Sequence, residues 1–147
     1  MCGIAGIIRK NSNVGKIIKS LNKNIKHRGP DDDGFYVNKA LNIALTSTRL
    51  SIIGIKEGAQ PKISHSKKIL VFFNGEIFNY KELSIKYLKQ NIKSDTEVIL
   101  KLYSKFGISF LKKLNGMFAI TILDLRYSKI FVIRDRLGIK PIYYLKN

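Results

Sequence analysis

The chain runs to 147 residues, one domain's worth of sequence and long enough for a single substantial core. Hydrophobic residues make up 45% and charged residues 25%, which is ordinary globular usage. With 27 basic and 10 acidic residues the net charge is +17, and a single cysteine excludes an internal disulfide framework.

A charge of that size raises nucleic acid or an anionic membrane as partner. No block of five or six basic residues occurs, however, and adjacent basics come as doublets such as Lys67-Lys68 and Lys112-Lys113. Lysine over arginine, with abundant isoleucine and asparagine, is what A- and T-rich coding produces. Basic composition without a recognition motif therefore argues against specific nucleic-acid binding. The opening MCGIAGIIRKN holds too short an apolar run for a signal peptide, and no stretch approaches the ~18–20 apolar residues of a membrane span. A lone thiol suits a reducing compartment, so a cytoplasmic protein without membrane contact is expected.

In chain order, Cys2 comes first, directly behind Met1 and ahead of Gly3-Ile4-Ala5-Gly6. Removal of Met1 would leave one residue carrying both a thiol, titrating near ~8.5, and an α-amine, titrating near ~7.7–8. Nucleophile and general base would then be joined by a few covalent bonds. Position alone fits equally a small buried hydrophobe, the commoner use of a lone cysteine.

Residues 2–8 read as a short buried strand. Val14, Ile17, Ile18, Leu21 and Ile25 recur at helical spacing, with Lys16, Lys19, Lys23 and Lys26 on another face. That basic face is either a docking surface or, more commonly, a solvated one. Gly29-Pro30 ends the helix and an acidic loop, Asp31-Asp32-Asp33-Gly34, is expected to follow. Strands are predicted at 35–37, 41–47 and 69–73, and residues 117–124 and 130–134 read as a hairpin around Arg126-Tyr127-Ser128. Two helices have start signals: Asn79 with Glu82, and Ser94 with Glu97 as a capping box. Strands, then helices, then strands suggest a layered mixed domain.

Six segments carry more than fold: Cys2-Gly3-Ile4, His27-Arg28-Gly29-Pro30-Asp31, Arg49-Leu50-Ser51-Ile52, Asn74-Gly75-Glu76-Ile77-Phe78-Asn79-Tyr80, Ser94-Asp95-Thr96-Glu97 and Arg134-Asp135-Arg136-Leu137-Gly138-Ile139-Lys140-Pro141. In this order they resemble the class II glutamine amidotransferases, and the chain along its whole length is similar to the N-terminal glutaminase domain of glutamine-hydrolysing asparagine synthetases. The fold this implies is α+β, a four-layer αββα sandwich of two antiparallel sheets, of the N-terminal-nucleophile hydrolase type.

The resemblance implies a set of roles. Cys2 would attack the glutamine side-chain amide, its own α-amine shuttling the proton. Asn74 and the backbone N–H of Gly75 would stabilise the oxyanion. Arg49 suits the substrate α-carboxylate because its planar fork binds both oxygens. Glu76 and Asp95 would take the α-ammonium, and Leu50, Ser51, Ile52 and Ile53 would line the pocket. Taken singly, each has a plain structural use: Asn-Gly as a hairpin turn, Arg49 as a surface ion pair, Asp95 as a first-turn acid on a helix. The HRGPD segment would fold over bound glutamine. His27 and His65 receive no catalytic part, Arg134-Asp135-Arg136 reads as a structural turn, and the scattered cysteine and histidines make no metal-ligand set.

Departures from the family bear on partners. The synthetase domain, with its ATP and magnesium, has no counterpart here, so a separately encoded or otherwise missing synthetase partner is implied and no cofactor is expected in this chain. The family's glutaminase domain continues past the Pro-Ile-Tyr-Tyr strand, which predicts an incomplete sheet edge. Ser47-Thr48 stands where the family commonly has histidine and a small or acidic residue, and Gly54 where an acid is common. Two other readings stand beside the enzyme: a truncated remnant that at most binds glutamine, and a basic nucleic-acid-binding module. The sequence leaves homo-oligomerisation open.

Overall fold

The computed structural model describes residues 2–10, 12–50 and 59–146. The first sheet holds β1 (Gly3–Ile8), β2 (Asp32–Asn38) and β3 (Ile43–Arg49) in the order β1-β3-β2, antiparallel throughout. The second holds β4 (Lys62–Ile63), β5 (Ile69–Ile77), β6 (Gly116–Asp124) and β7 (Lys129–Arg134) in sequence order, also antiparallel. The helices are α1 (Val14–Ile25), α2 (Tyr80–Leu83) and α3 (Asp95–Phe106).

The two-residue period of the strands builds the layers. On β3, Ala44 packs with Val14 and Ile18 of α1, whereas Ile43 and Leu45 pack with Leu70 and Phe72 of β5. On β5, Val71, Phe73 and Ile77 turn the other way and join Val98, Ile99 and Leu102 of α3. The order is therefore α1, first sheet, second sheet, α3: the expected αββα sandwich. Each side chain buried as completely as Phe72, Ile18 or Leu102 contributes roughly 1.5–3 kcal/mol.

Capping follows the sequence at two helix starts. Asn13 Oδ1 accepts from Lys16 N at 3.0 Å, and Ser94 Oγ accepts from Glu97 N at 3.3 Å. Glu97 does not complete the capping box. Its carboxylate goes to Lys101 at 3.1 Å and Lys62 at 3.4 Å, tying α3 to β4. Asn79 likewise caps nothing with its side chain; it bridges to Lys113 O and Asn115 N, both at 3.0 Å.

Three expectations need correcting. The acidic loop is mostly strand: Asp32, Asp33 and Gly34 pair with Arg49, Thr48 and Ser47. Asp33 is paid for by an ion pair with Lys26 at 2.8 Å and by the amide of Asn22 at 3.5 Å, partners no local window shows. The strand expected at 69–73 runs on to Ile77, so that Asn74-Gly75 lies inside β5, opposite Ala119 and Phe118. Pro141–Tyr144 is not a strand, since no described strand lies alongside it. Tyr143, Tyr144 and Leu145 are 91%, 89% and 87% exposed.

The lysines Lys16, Lys19 and Lys23 of α1 are exposed as the helical spacing predicts, and His65 is exposed too. The Arg134-Asp135-Arg136 turn is structural as expected. Asp135 accepts from Phe118 N, Ile139 N and Lys140 N at 3.1, 2.9 and 2.9 Å, and Arg136 reaches Leu114 O at 2.9 Å. Burial pushes the Asp135 carboxyl up, but these backbone N–H groups outweigh it and hold the group below its usual range. At the far end of the second sheet, Tyr103 of α3 donates to Asp124 Oδ2 at 2.8 Å. Arg126 grips the same carboxylate at 2.7 Å.

Candidate active site

Cys2 leads into β1, whose ladder sets Gly3 opposite Thr48 and so brings Cys2 level with Arg49 at the end of β3. Its Sγ lies 4.0 Å from Leu50 O. Ile4 packs between the sheets, and by alternation Cys2 faces the same way. On β5 the residues facing the first sheet are Leu70 and Phe72, and the same alternation continues to Asn74 and Glu76. Thiol, guanidinium, amide and carboxylate therefore gather at one mouth of the sandwich, contributed by both sheets.

Arg49 and Asn74 are 6% and 7% exposed, so neither is the surface ion pair or turn residue that each looks like alone. The segment after α1 is stitched to Arg49. Asp31 N donates to Arg49 O at 3.0 Å, and Pro30 forms an isolated bridge with the same residue. Gly75 shows why no side chain fits. With φ at +155°, a Cβ would lie 2.0 Å from Met117 O and 2.7 Å from Phe118 Cα.

Asp95 opens α3 and is 7% exposed. Its carboxylate accepts from Thr96 N at 2.8 Å and from Ile77 N at 3.4 Å, which fastens the helix start to the end of β5. Burial pushes its carboxyl above the usual range; the two backbone N–H bonds oppose this and the nearby Glu76 adds to it. Two neighbouring acids, one of them desolvated, form a place that gains from a bound cation. A buried guanidinium offers the complementary place for an anion, so the mouth suits a zwitterion.

The carbonyl oxygen of Leu50 lies beside the thiol, whereas Ser51, Ile52, Ile53 and Gly54 lie outside the described residues. His27 points away, its Nδ1 3.0 Å from Asn24 O, and the side chain is exposed. The structure adds two residues. Arg28 donates from Nε to Cys2 O at 3.3 Å, and its signal was its place in the HRGPD motif. Gln60 bonds the backbone of Phe73, beside Asn74, and nothing in local sequence marks it. Of the two departures before Arg49, Thr48 donates to Ile25 O at 3.0 Å. The hydroxyl of Ser47 is buried without a hydrogen-bonding partner among the described residues. Among those residues there is neither a cluster of three or more His, Cys, Asp or Glu that suits a metal ion nor a helix long and apolar enough to cross a membrane.

The profile described as "Glutamine amidotransferase domain" matches residues 1–147. Asparagine synthetase (glutamine-hydrolysing) 2 of Bacillus subtilis is 41% identical over 151 aligned positions, covering 98% of this chain and 20% of its own length. Asparagine synthetase B (glutamine-hydrolysing) of Escherichia coli K12 is 37% identical, covering 97% of this chain and 26% of its own. A Methanocaldococcus jannaschii relative that shares the asparagine synthetase name is 45% identical, covering 98% and 32%. The chain thus spans between a fifth and a third of the length of these relatives.

Proposed function

This chain belongs to the glutamine amidotransferase domain family, and from that premise we propose that it hydrolyses the side-chain amide of glutamine through Cys2. The proposal is supported by strand register: Cys2 comes level with Arg49 at the end of one sheet, and Gln60, close over Gly34 of that sheet and bonded to Phe73, sets Asn74 and Gly75 of β5 toward the same end.

The steps follow from the groups present. Once Met1 is removed, the free α-amine of Cys2 takes the thiol proton and the thiolate attacks the amide carbon. The tetrahedral oxyanion accepts from the Asn74 side-chain N–H and the Gly75 backbone N–H. The protonated amine returns its proton to the leaving nitrogen, so ammonia departs and a glutamyl thioester remains. Water, deprotonated by the same amine, then releases glutamate and restores the thiol. Arg49 holds the substrate α-carboxylate, while Glu76 and Asp95 hold the α-ammonium.

The ammonia would serve asparagine synthesis, as the relatives' names suggest, with a synthetase region supplying the acceptor and its own ATP and magnesium. A cytoplasmic setting keeps the Cys2 thiol reduced.

The test is glutamate release from glutamine by purified protein, with Cys2→Ala as control and intact mass reporting on Met1. Cys2-dependent release from Met1-free protein is expected. A folded, processed protein that releases none would overturn the proposal.

A further inference from the structure

We propose that Gln60 is a positioning residue for the oxyanion donors, an inference that rests on the glutaminase reading. Its carboxamide donates from Nε2 to Phe73 O at 2.8 Å and accepts from Phe73 N through Oε1 at 2.7 Å. A carboxamide carries the same donor and acceptor as a peptide unit, so the side chain supplies one antiparallel rung to β5.

Register explains why a side chain does this. β4 pairs Lys62 with Val71, and the ladder continued backwards sets Gln60 opposite Phe73. β4 itself stops at Lys62, so the rung opposite Phe73 lies beyond the strand. Gln60 replaces the lost rung with its own amide.

That rung fixes an edge that matters. Backbone groups of successive strand residues point alternately to the two edges. The N–H of Phe73 goes to Gln60 and that of Ile77 goes to Asp95, both on the edge of β5 away from β6. Across the strand pair, Phe118 spends its N–H and C=O on Asp135 and leaves Gly75 unbonded from that side. The Gly75 N–H therefore points to the same open edge, midway between two side-chain clamps. Asn74 sits between Gly75 and the Gln60 rung.

Gln60 also bears on the other sheet. Its carbonyl oxygen lies so close over Gly34 of β2 that a Cβ there would come within 1.9 Å. Gly34 pairs with Ser47, two residues before Arg49. One residue thus presses its main chain on the sheet that carries Cys2 and Arg49, and grips with its side chain the strand that carries Asn74 and Gly75. It sets the gap that the nucleophile must cross.

The test compares Gln60→Ala and Gln60→Glu with wild type in three measurements: steady-state glutamine hydrolysis, alkylation of Cys2 by iodoacetamide, and amide hydrogen exchange. We expect kcat to fall on the order of tenfold to hundredfold, less than the ~10²–10³ for outright loss of an oxyanion donor, with KM within about twofold. Alkylation should keep its rate, because displacement at a saturated carbon develops no oxyanion. In Gln60→Ala exchange should quicken at Phe73, whose N–H loses its acceptor, but not along β6. Gln60→Glu should do no better than alanine, since its carboxylate opposes Phe73 O. An active wild type with unimpaired variants overturns the inference. So does a variant whose KM rises and alkylation slows along with kcat, which is the mark of general loosening. A wild type that hydrolyses no glutamine sinks the glutaminase reading instead; unchanged exchange in Gln60→Ala then overturns the clamp separately.

Discussion

The guanidinium of Arg28 donates to the carbonyl oxygen of Cys2 at 3.3 Å, tying the peptide beside the thiol to the segment that follows α1. With Met1 removed, as the proposed mechanism requires, Cys2 would have covalent anchorage on one side only, and this bond would carry much of its orientation. Arg28→Ala is expected to lower kcat between tenfold and hundredfold, the scale of a misplaced reacting group. Arg28→Lys should not restore it, because an ammonium on a flexible stem does not present the Nε donor. Turnover with a circular dichroism check decides; a fully active Arg28→Ala shows that the bond does not orient Cys2.

Asp95 should impose an acid limb on substrate binding. Burial, assisted by Glu76, raises its pKa, so at low pH the free protein holds it neutral and it attracts no ammonium. As pH rises through that raised value the carboxylate forms and glutamine binds better. KM should therefore climb as pH falls, and kcat should change less. Asp95→Asn should show a high KM that no longer depends on pH over this range. The check is a profile of kcat and KM for both proteins, and an identical KM profile in the variant refutes the assignment.

Gly75→Ala should be costly in two ways. The added Cβ would fall 2.0 Å from Met117 O at a φ of +155°, and overpacking plus backbone strain predict about 3 kcal/mol of destabilisation. Turnover should be lost as well. Urea melts give the first and glutamate release the second.

The carboxylate of Asp124 is fully buried and held between Arg126 and Tyr103. Arg126 chiefly depresses its pKa, while burial and the Asp124 bond push the Tyr103 hydroxyl up to about 12. Tyr103→Phe should cost about 1.5 kcal/mol, and Asp124→Asn, which strands the guanidinium, about 3 kcal/mol. A depressed carboxyl stabilises above its unfolded value and loses that contribution as pH falls through the folded one. Asp124→Asn should accordingly melt with a shallower acid dependence than wild type below about pH 4.

Ser47 runs the other way. A buried hydroxyl without a partner among the described residues carries a desolvation penalty, so Ser47→Ala should stabilise by about 1 kcal/mol and leave turnover unchanged. Thermal denaturation tests the sign.

The sequence was most legible where period and caps agree. The α1 stripe, the Ser94 cap and the hairpin of β6 and β7 each follow from residues within one turn or one strand. The candidate site was legible through motifs rather than physics: nothing local distinguishes Asn74-Gly75 in a strand from the same pair in a turn. What stayed hidden depends on distant partners. Asp33 becomes strand because Asn22 on α1 and Lys26 just past its end lie within reach, and Asn79 ignores its helix because residues 113–115 do. Gln60 matters only once β5 is beside it.

The division of the mouth between two sheets makes turnover a clock for folding. On the proposed mechanism, a chain with one sheet formed would hold a thiol without its oxyanion donors, or the donors without a thiol, and neither half would liberate ammonia. Return of glutamine hydrolysis during refolding should therefore trail the recovery of strand signal and coincide with docking of the sandwich. A nascent chain would stay chemically silent until β5 has been made and seated.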